Sequence, residues 1–416
     1  MKLFTWLLAT VALAFSTATA ADELFIRGAT VHTLSEAGVL ENSDILVRDG
    51  TIAAIGQGLS APAGAEVIDA AGRPVTPALF AGISVIGLSE VELEASSVDS
   101  AIEGLAAPYM RPEFNVVPAY NPNSSLVPIT RVEGFGFTLL GATAGDSIIA
   151  GQGRMVRLDG GYRSFVGDEV LFVVLGSSGS ELAGGSRAAQ WMQLEQALAE
   201  AERAPRDGEP MLLTRQGRET LKRFTRGGTV VFKVNRASDI LQTIDFAQRH
   251  GFKAVIDGGA EAWMVAEELA AADVPVLLDP LVNLPGSFDS LGARLDNAAL
   301  LYAAGVDIAF SGAESHNARK TRQLAGNAVA NGLPWEAGLA ALTASPSAIF
   351  GVDNGRLREG AKADLVLWSG DPLEVTTAAD AVIMGGRLDD MTSRQTRLRD
   401  RYLPESPAMP RAYIKP

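Results

Sequence analysis

Between Val170 and Phe310 the chain alternates short apolar runs with stretches of helical periodicity, and this alternation constrains the fold most. Val170-Leu171-Phe172-Val173-Val174-Leu175 is a continuous apolar run, the mark of a strand covered on both faces. Ala188 to Ala201 carries Trp191, Leu194, Ala197 and Leu198 at helical spacing. Thr229 to Val234 predicts a strand. Ser238 to His250 predicts a helix with Ser238 as N-cap and Gly251 as its left-handed stop. Lys253 to Ile256, Val274 to Leu278 and Ile308 to Phe310 predict strands, separated by helices at Ala260 to Ala272 and Asp296 to Ala304. Strands alternating with helices imply a parallel sheet. The span from Val75 to Ile349 is about 275 residues, near the ~250 of an eight-fold β/α barrel.

The two ends have a different texture. Leu24 to Val31 is β-branched, and Asp49-Gly50 joins two strand-like runs in a hairpin signal. Gly360 to Trp368, a turn and strand, and Asp380 to Arg387 resemble them in character. The expectation is an α/β chain: a (β/α)8 TIM-like barrel with a small composite β-sandwich built from both chain ends. The boundaries expected are a signal peptide over 1–20, an N-terminal sandwich segment over 21–74, the barrel over 75–350, a C-terminal sandwich segment over 351–390, and a tail over 391–416. The stretch 89–130 breaks the alternation and reads as an excursion over the barrel mouth.

Lys2, the apolar run Leu3 to Phe15 and Ala18-Thr19-Ala20 have the form of an export signal cleaved after Ala20. A periplasmic or extracellular location is therefore expected, with no membrane span in the mature chain. A net charge of −14 and a pI near 4.8 argue against nucleic acid as a partner. The expected partner is a small-molecule ligand or substrate; oligomeric state is not legible. Cysteine is absent, which removes thiolate nucleophiles and thiolate metal sites.

Four segments carry a family resemblance. Gly50 to Gly56 resembles the hairpin of a small β domain, and Val67 to Leu79 resembles the entry into a first barrel strand. Ala340 to Gly351 resembles an "A-x-T-x-N-P-A-x-x-x-G" helix, and Glu359 to Val366 resembles "x-G-x-x-A-D-L-V". In this order they resemble the amidohydrolase superfamily, particularly its exported imidazolonepropionase-related branch. The resemblance implies a barrel with a composite sandwich, and hydrolysis of non-peptide C–N bonds assisted by a bound metal.

The same resemblance implies His-x-His after the first barrel strand, where this chain has Ile83, Ser84 and Val85. The family's later histidines fall near Lys233 or Asn235 and at Asp257, and its acid after strand eight at Glu314. Of three histidines, His32 reads as a surface strand residue and His250 as a cation at a helix C-terminus. His316 alone is placed for chemistry. The candidate catalytic residues are Glu314, His316, Asp257 and Lys233; the candidate substrate contacts are Asn235, Glu261, Asn283 and Arg319. Asp279 reads as a turn former.

Three arrangements stay open. Lys233 pairs with Asp257 or Glu314 as a structural ion pair. Asp257, Glu314 and His316 hold one divalent metal such as zinc. Or Glu314 or His316 acts as a base while Lys233 or Arg319 stabilises an oxyanion. The functional expectation is an exported hydrolase of C–N bonds with a degenerate metal centre. The alternative is an inactive relative, a pseudoenzyme, that binds a ligand or partner.

Overall fold

The computed structural model describes residues 23–104, 107, 109–203, 210–312 and 314–403. The export signal and its cleavage site lie outside the described residues. No helix among the described residues is long and apolar enough to cross a membrane.

Both chain ends contribute to one eight-stranded sheet. Its strands are β1 (Glu23–His32), β2 (Val39–Arg48), β3 (Thr51–Gly56), β4 (Glu66–Asp69) and β5 (Pro74–Pro77) from the start of the chain. β14 (Leu365–Trp368), β15 (Ala379–Met384) and β16 (Arg387–Leu388) come from its end. The order is β16-β15-β14-β5-β1-β2-β3, with β4 also on β1. Hydrogen bonding joins all eight into one sheet rather than two facing ones. The sheet curls over a core of its own, in which Ile26, Ile45, Ile52, Leu365 and Ile383 meet. The amide of Ile52 donates to the carbonyl of Ala361 at 2.8 Å, drawing β3 toward the approach to β14.

The middle of the chain forms the second eight-stranded sheet. Its strands are β6 (Leu79–Ser84), β7 (Phe135–Leu140), β8 (Ile149–Arg157), β9 (Phe165–Val174), β10 (Thr229–Val234), β11 (Lys253–Gly258), β12 (Val276–Leu278) and β13 (Ile308–Phe310). They lie in sequence order, and the two edges meet at Gly82 and Ser311. The Ile83 amide donates to Ser311 Oγ at 3.0 Å. Gly82 has φ +83°, and a Cβ there would lie 2.9 Å from Ser311 Oγ, so the seam requires glycine.

The barrel is not the uniformly parallel one expected. β8 runs antiparallel to both β7 and β9. The reason is connection length. Only residues 141–148 separate β7 from β8, and residues 158–164 separate β8 from β9. A parallel crossover needs a dozen residues or more, so these links close as hairpins. From β9 onward every neighbouring pair is parallel, and helices such as Arg187–Glu202 and Ala237–His250 cover the outside.

Three local expectations need correction. Ser238 lies inside the helix, because Arg236 is the N-cap residue. The stretch expected as a helix from Ala260 is a 3-10 turn, Ala262–Val265, followed by a short helix, Ala266–Ala271. His32 is not a surface residue; it is half-buried against Trp335 with ring centroids 4.9 Å apart. Burial lowers its pKa against the opposing pull of Asp371 and Glu336. His250 does end its helix before Gly251, whose φ is +74°, and bonds Glu195 through Nε2 at 3.1 Å.

Candidate functional site

Side-chain alternation along four successive strands builds the site. Val231, Val255, Leu277 and Ala309 point inward and share a core with Phe172 and Leu139. Val230, Phe232, Ile256, Leu278 and Phe310 point outward into the core shared with the helices. Period two then sends Lys233, Asp257, Asp279 and Ser311 inward, one layer nearer the C-terminal ends. The barrel interior is therefore apolar until its last layer and polar there. That is the face where β/α barrels place their chemistry.

Above this layer opens a cavity of about 440 Å³. Lys233, Asn235, Asp257, Asp279 and Ser311 line it on the β10–β13 side; Ile83, Val85 and Phe172 line it from the flanking strands, β6 and β9. Lys233 and Asp257 are register partners across β10 and β11, so their side chains leave the sheet side by side. Among the described residues Lys233 makes no ion pair within 4.0 Å, and its side chain stands open to the cavity. The expected ion pair to Asp257 or Glu314 is not formed.

Asp257 opens onto the cavity yet is enclosed by protein. Burial raises its pKa, and the nearby Lys233 charge opposes that rise. Burial also raises Asp279, opposed by the Leu281 amide. Asp279 Oδ1 accepts that amide at 2.9 Å, so this residue both shapes a turn and lines the cavity.

The other predicted residues separate. Asn235 lines the cavity, and its Oδ1 accepts the Ala260 amide at 3.3 Å. Glu261 is buried, with its two oxygens accepting the Ala237 and Gly292 amides at 3.1 and 2.9 Å. It fixes two loops and is closed to a substrate. Asn283 is exposed on a loop beyond the lining residue Val282, and Arg319 does not line the cavity.

Glu314 and His316 sit outside it. Glu314 lines a separate depression of about 200 Å³ that shares Asp279 and Gly312 with the main cavity. Their side chains are 56% and 55% exposed and 3.2 Å apart, too open for a desolvated acid–base pair. The expected set of Asp257, Glu314 and His316 therefore does not come together on one ion.

A metal of the kind the resemblance implies needs a convergent set of His, Asp or Glu donors. Among the described residues no three His, Cys, Asp or Glu side chains are grouped to hold one. At the cavity, β6 presents Ile83, and the Ser84 hydroxyl is bonded to Thr138 at 2.8 Å. Asp257 and Asp279 alone do not make a zinc site, so the residues present do not fit that metal.

Several lining residues escaped the sequence reading. Ser311 and Ser315 accept the Ile83 and Val85 amides, which ties β6 to the end of β13. Thr143 is bonded to Ser100 at 2.9 Å. This contact, with Glu92 4.0 Å from His316, brings some of the 89–130 excursion onto the rim. A usable signal was present: strands β10 to β13 each place a polar residue two positions after an inward apolar one.

The raised pKa of Asp257 carries a stability prediction. The folded state holds this proton more tightly than the unfolded chain. Stability from the protonated form is complete below the unfolded value, near pH ~4, and is lost as pH rises through the folded value. Asp257→Asn should therefore melt higher relative to the parent at pH 8 than at pH 4, by calorimetry at both pH values. A pH-independent difference would contradict the desolvation argument.

The Amidohydrolase family's sequence profile matches residues 238–388. A dihydroorotase of Geobacter sulfurreducens is 54% identical over 57 residues, 14% of this chain and 13% of that protein. The amidohydrolase tasK of Hapsidospora irregularis is 39% identical over 89 residues, 20% of this chain and 9% of that protein. These matches span only a small fraction of either relative. An amidohydrolase from Thermotoga maritima superposes with a TM-score of 0.77 at 22% identity, covering 88% of this chain and 99% of that one. A mutant atrazine chlorohydrolase of Arthrobacter aurescens, complexed with zinc and atraton, gives 0.50 at 15% identity over 91% and 98%. The chain thus shares the fold of solved amidohydrolases and carries the amidohydrolase family's sequence pattern from residue 238 to 388.

Proposed function

We propose that this chain is an amidohydrolase-like hydrolase acting on a C–N bond of a small molecule held in the barrel mouth. Lys233 and Asp257 act there in place of a histidine-bound metal. The observation that carries this reading is their pairing: an unpartnered lysine beside a carboxylate with a raised pKa, at the active end of the barrel. Asp257 as carboxylate accepts a proton from water as its oxygen attacks the amide carbon. The Lys233 ammonium stabilises the oxyanion that forms. Asp257 then returns the proton to the leaving nitrogen as the C–N bond breaks, giving an acid and an amine. Burial moves the Asp257 pKa toward the working pH, where one group can serve both transfers. Export through the N-terminal segment belongs to the same proposal.

The test is release of amine from a panel of N-acyl compounds. Lys233→Met and Asp257→Asn should each lower the rate about 100-fold or more with the fold intact, and a chelator should leave it unchanged. Activity that survives both substitutions sinks the assignment. A second reading, binding without turnover, is favoured by the apolar Ile83 and Val85 at the positions where the resemblance implies metal ligands. Calorimetric binding with no amine released would select it.

A further inference from the structure

The cavity has two unlike walls. The ends of β10 to β12 supply Lys233, Asp257 and Asp279. The strands that flank this arc, β6 and β9, supply Ile83, Val85 and Phe172. The hydroxyl groups there do not relieve that apolar character, because Ser84 is bonded to Thr138 and Ser315 to the Val85 amide.

The apolar character continues outward along the loop after Asp279. Val282 lines the cavity. The loop returns to the rim at Asp289, which accepts the Ser177 amide at 2.6 Å, next to the lining residue Ser178. Arg187 also holds Asp289. Between these anchors Leu284 and Phe288 are 71% and 81% exposed.

We infer that the ligand is amphipathic: an acyl amide with an aromatic or branched aliphatic group. Its polar end lies against Lys233 and Asp257, and its hydrocarbon lies against Val85, Phe172 and Val282. This deepens the proposed function and rests on the barrel mouth being its site. A small, wholly polar amide leaves the β6 side wet and forfeits the apolar contact.

Calorimetry of the full chain with N-acetylphenylalanine and N-acetylglycine tests it. Both probes carry the same amide and carboxylate, so the ratio isolates the hydrocarbon. N-acetylphenylalanine should bind about tenfold or more tightly. Val85→Thr keeps shape and adds a hydroxyl, and Val282→Asn alters an exposed position that folding does not need. Each should reduce the ratio several-fold. Equal affinities, tighter binding of N-acetylglycine, no binding of either probe, or a ratio unmoved by both variants overturns the inference. Binding with the expected ratio but no release of acetate keeps the ligand class and removes the hydrolytic reading.

Discussion

Asp364→Ala should destabilise the fold by about 3–5 kcal/mol, read as a lower urea midpoint at unchanged slope. Asp364 precedes β14 and receives Arg157 of β8 in a two-pronged pair, Nε to Oδ2 at 2.8 Å and Nη2 to Oδ1 at 2.5 Å. Its Oδ1 also accepts the Gly385 amide at 2.6 Å. The two side chains are 8% and 10% exposed. Removing the carboxylate leaves a buried guanidinium held, among the described residues, only by Asp159, at 2.7 Å. The pair spans the two sheets, so the loss falls on their junction. Arg157→Met combined with Asp364→Leu should recover most of the loss, since the cost comes from a charge left without its partner. A single-variant loss below about 1 kcal/mol, the value of an exposed pair, would refute this account.

Trp368→Ala should cost a similar ~3–5 kcal/mol by removing a fully buried indole. Trp368 ends β14 and belongs to the main barrel core, although its strand lies in the other sheet. Its Nε1 donates to Thr76 Oγ1 at 2.9 Å. Arg322 lies over the ring at 5.1 Å. Gly134, at φ +92°, yields its Cβ space to the ring: an added Cβ would sit 2.3 Å from the indole edge. Packing dominates this sum, because one neutral hydrogen bond contributes only about 1 kcal/mol. Trp368→Phe should therefore retain most of the stability by thermal melting. A phenylalanine variant as unstable as the alanine one would place the weight on the hydrogen bond instead.

Both residues bear on how the small sheet supports the barrel. Asp364 lies in the stretch Glu359 to Val366, one of the four that carry the resemblance, and the structure gives it a physical task. The Arg394–Tyr402 helix has a comparable local explanation: Ser393 and Thr396 form a reciprocal cap, and none of its residues is buried. Its basic face is solvated, in keeping with its run of arginines.

The sequence by itself determined the strand–helix alternation from Val170 onward, because continuous apolar runs and helical periodicity are local properties. It also located Lys233, Asn235 and Asp257 at strand ends, since period-two alternation alone sends them inward. It did not reveal β8 as antiparallel, because the short links on either side are defined only by where the folded strands end. Tertiary structure alone decided which polar residues converge. Glu314 and His316 lie close in sequence to the end of β13, but the chain turns them out to a solvent-exposed rim. Glu261 follows β11 as closely, yet two backbone amides claim its carboxylate. Spacing fixes the direction in which a side chain leaves a strand; only the closed barrel fixes which side chains, from strands far apart in sequence, face one another across the cavity.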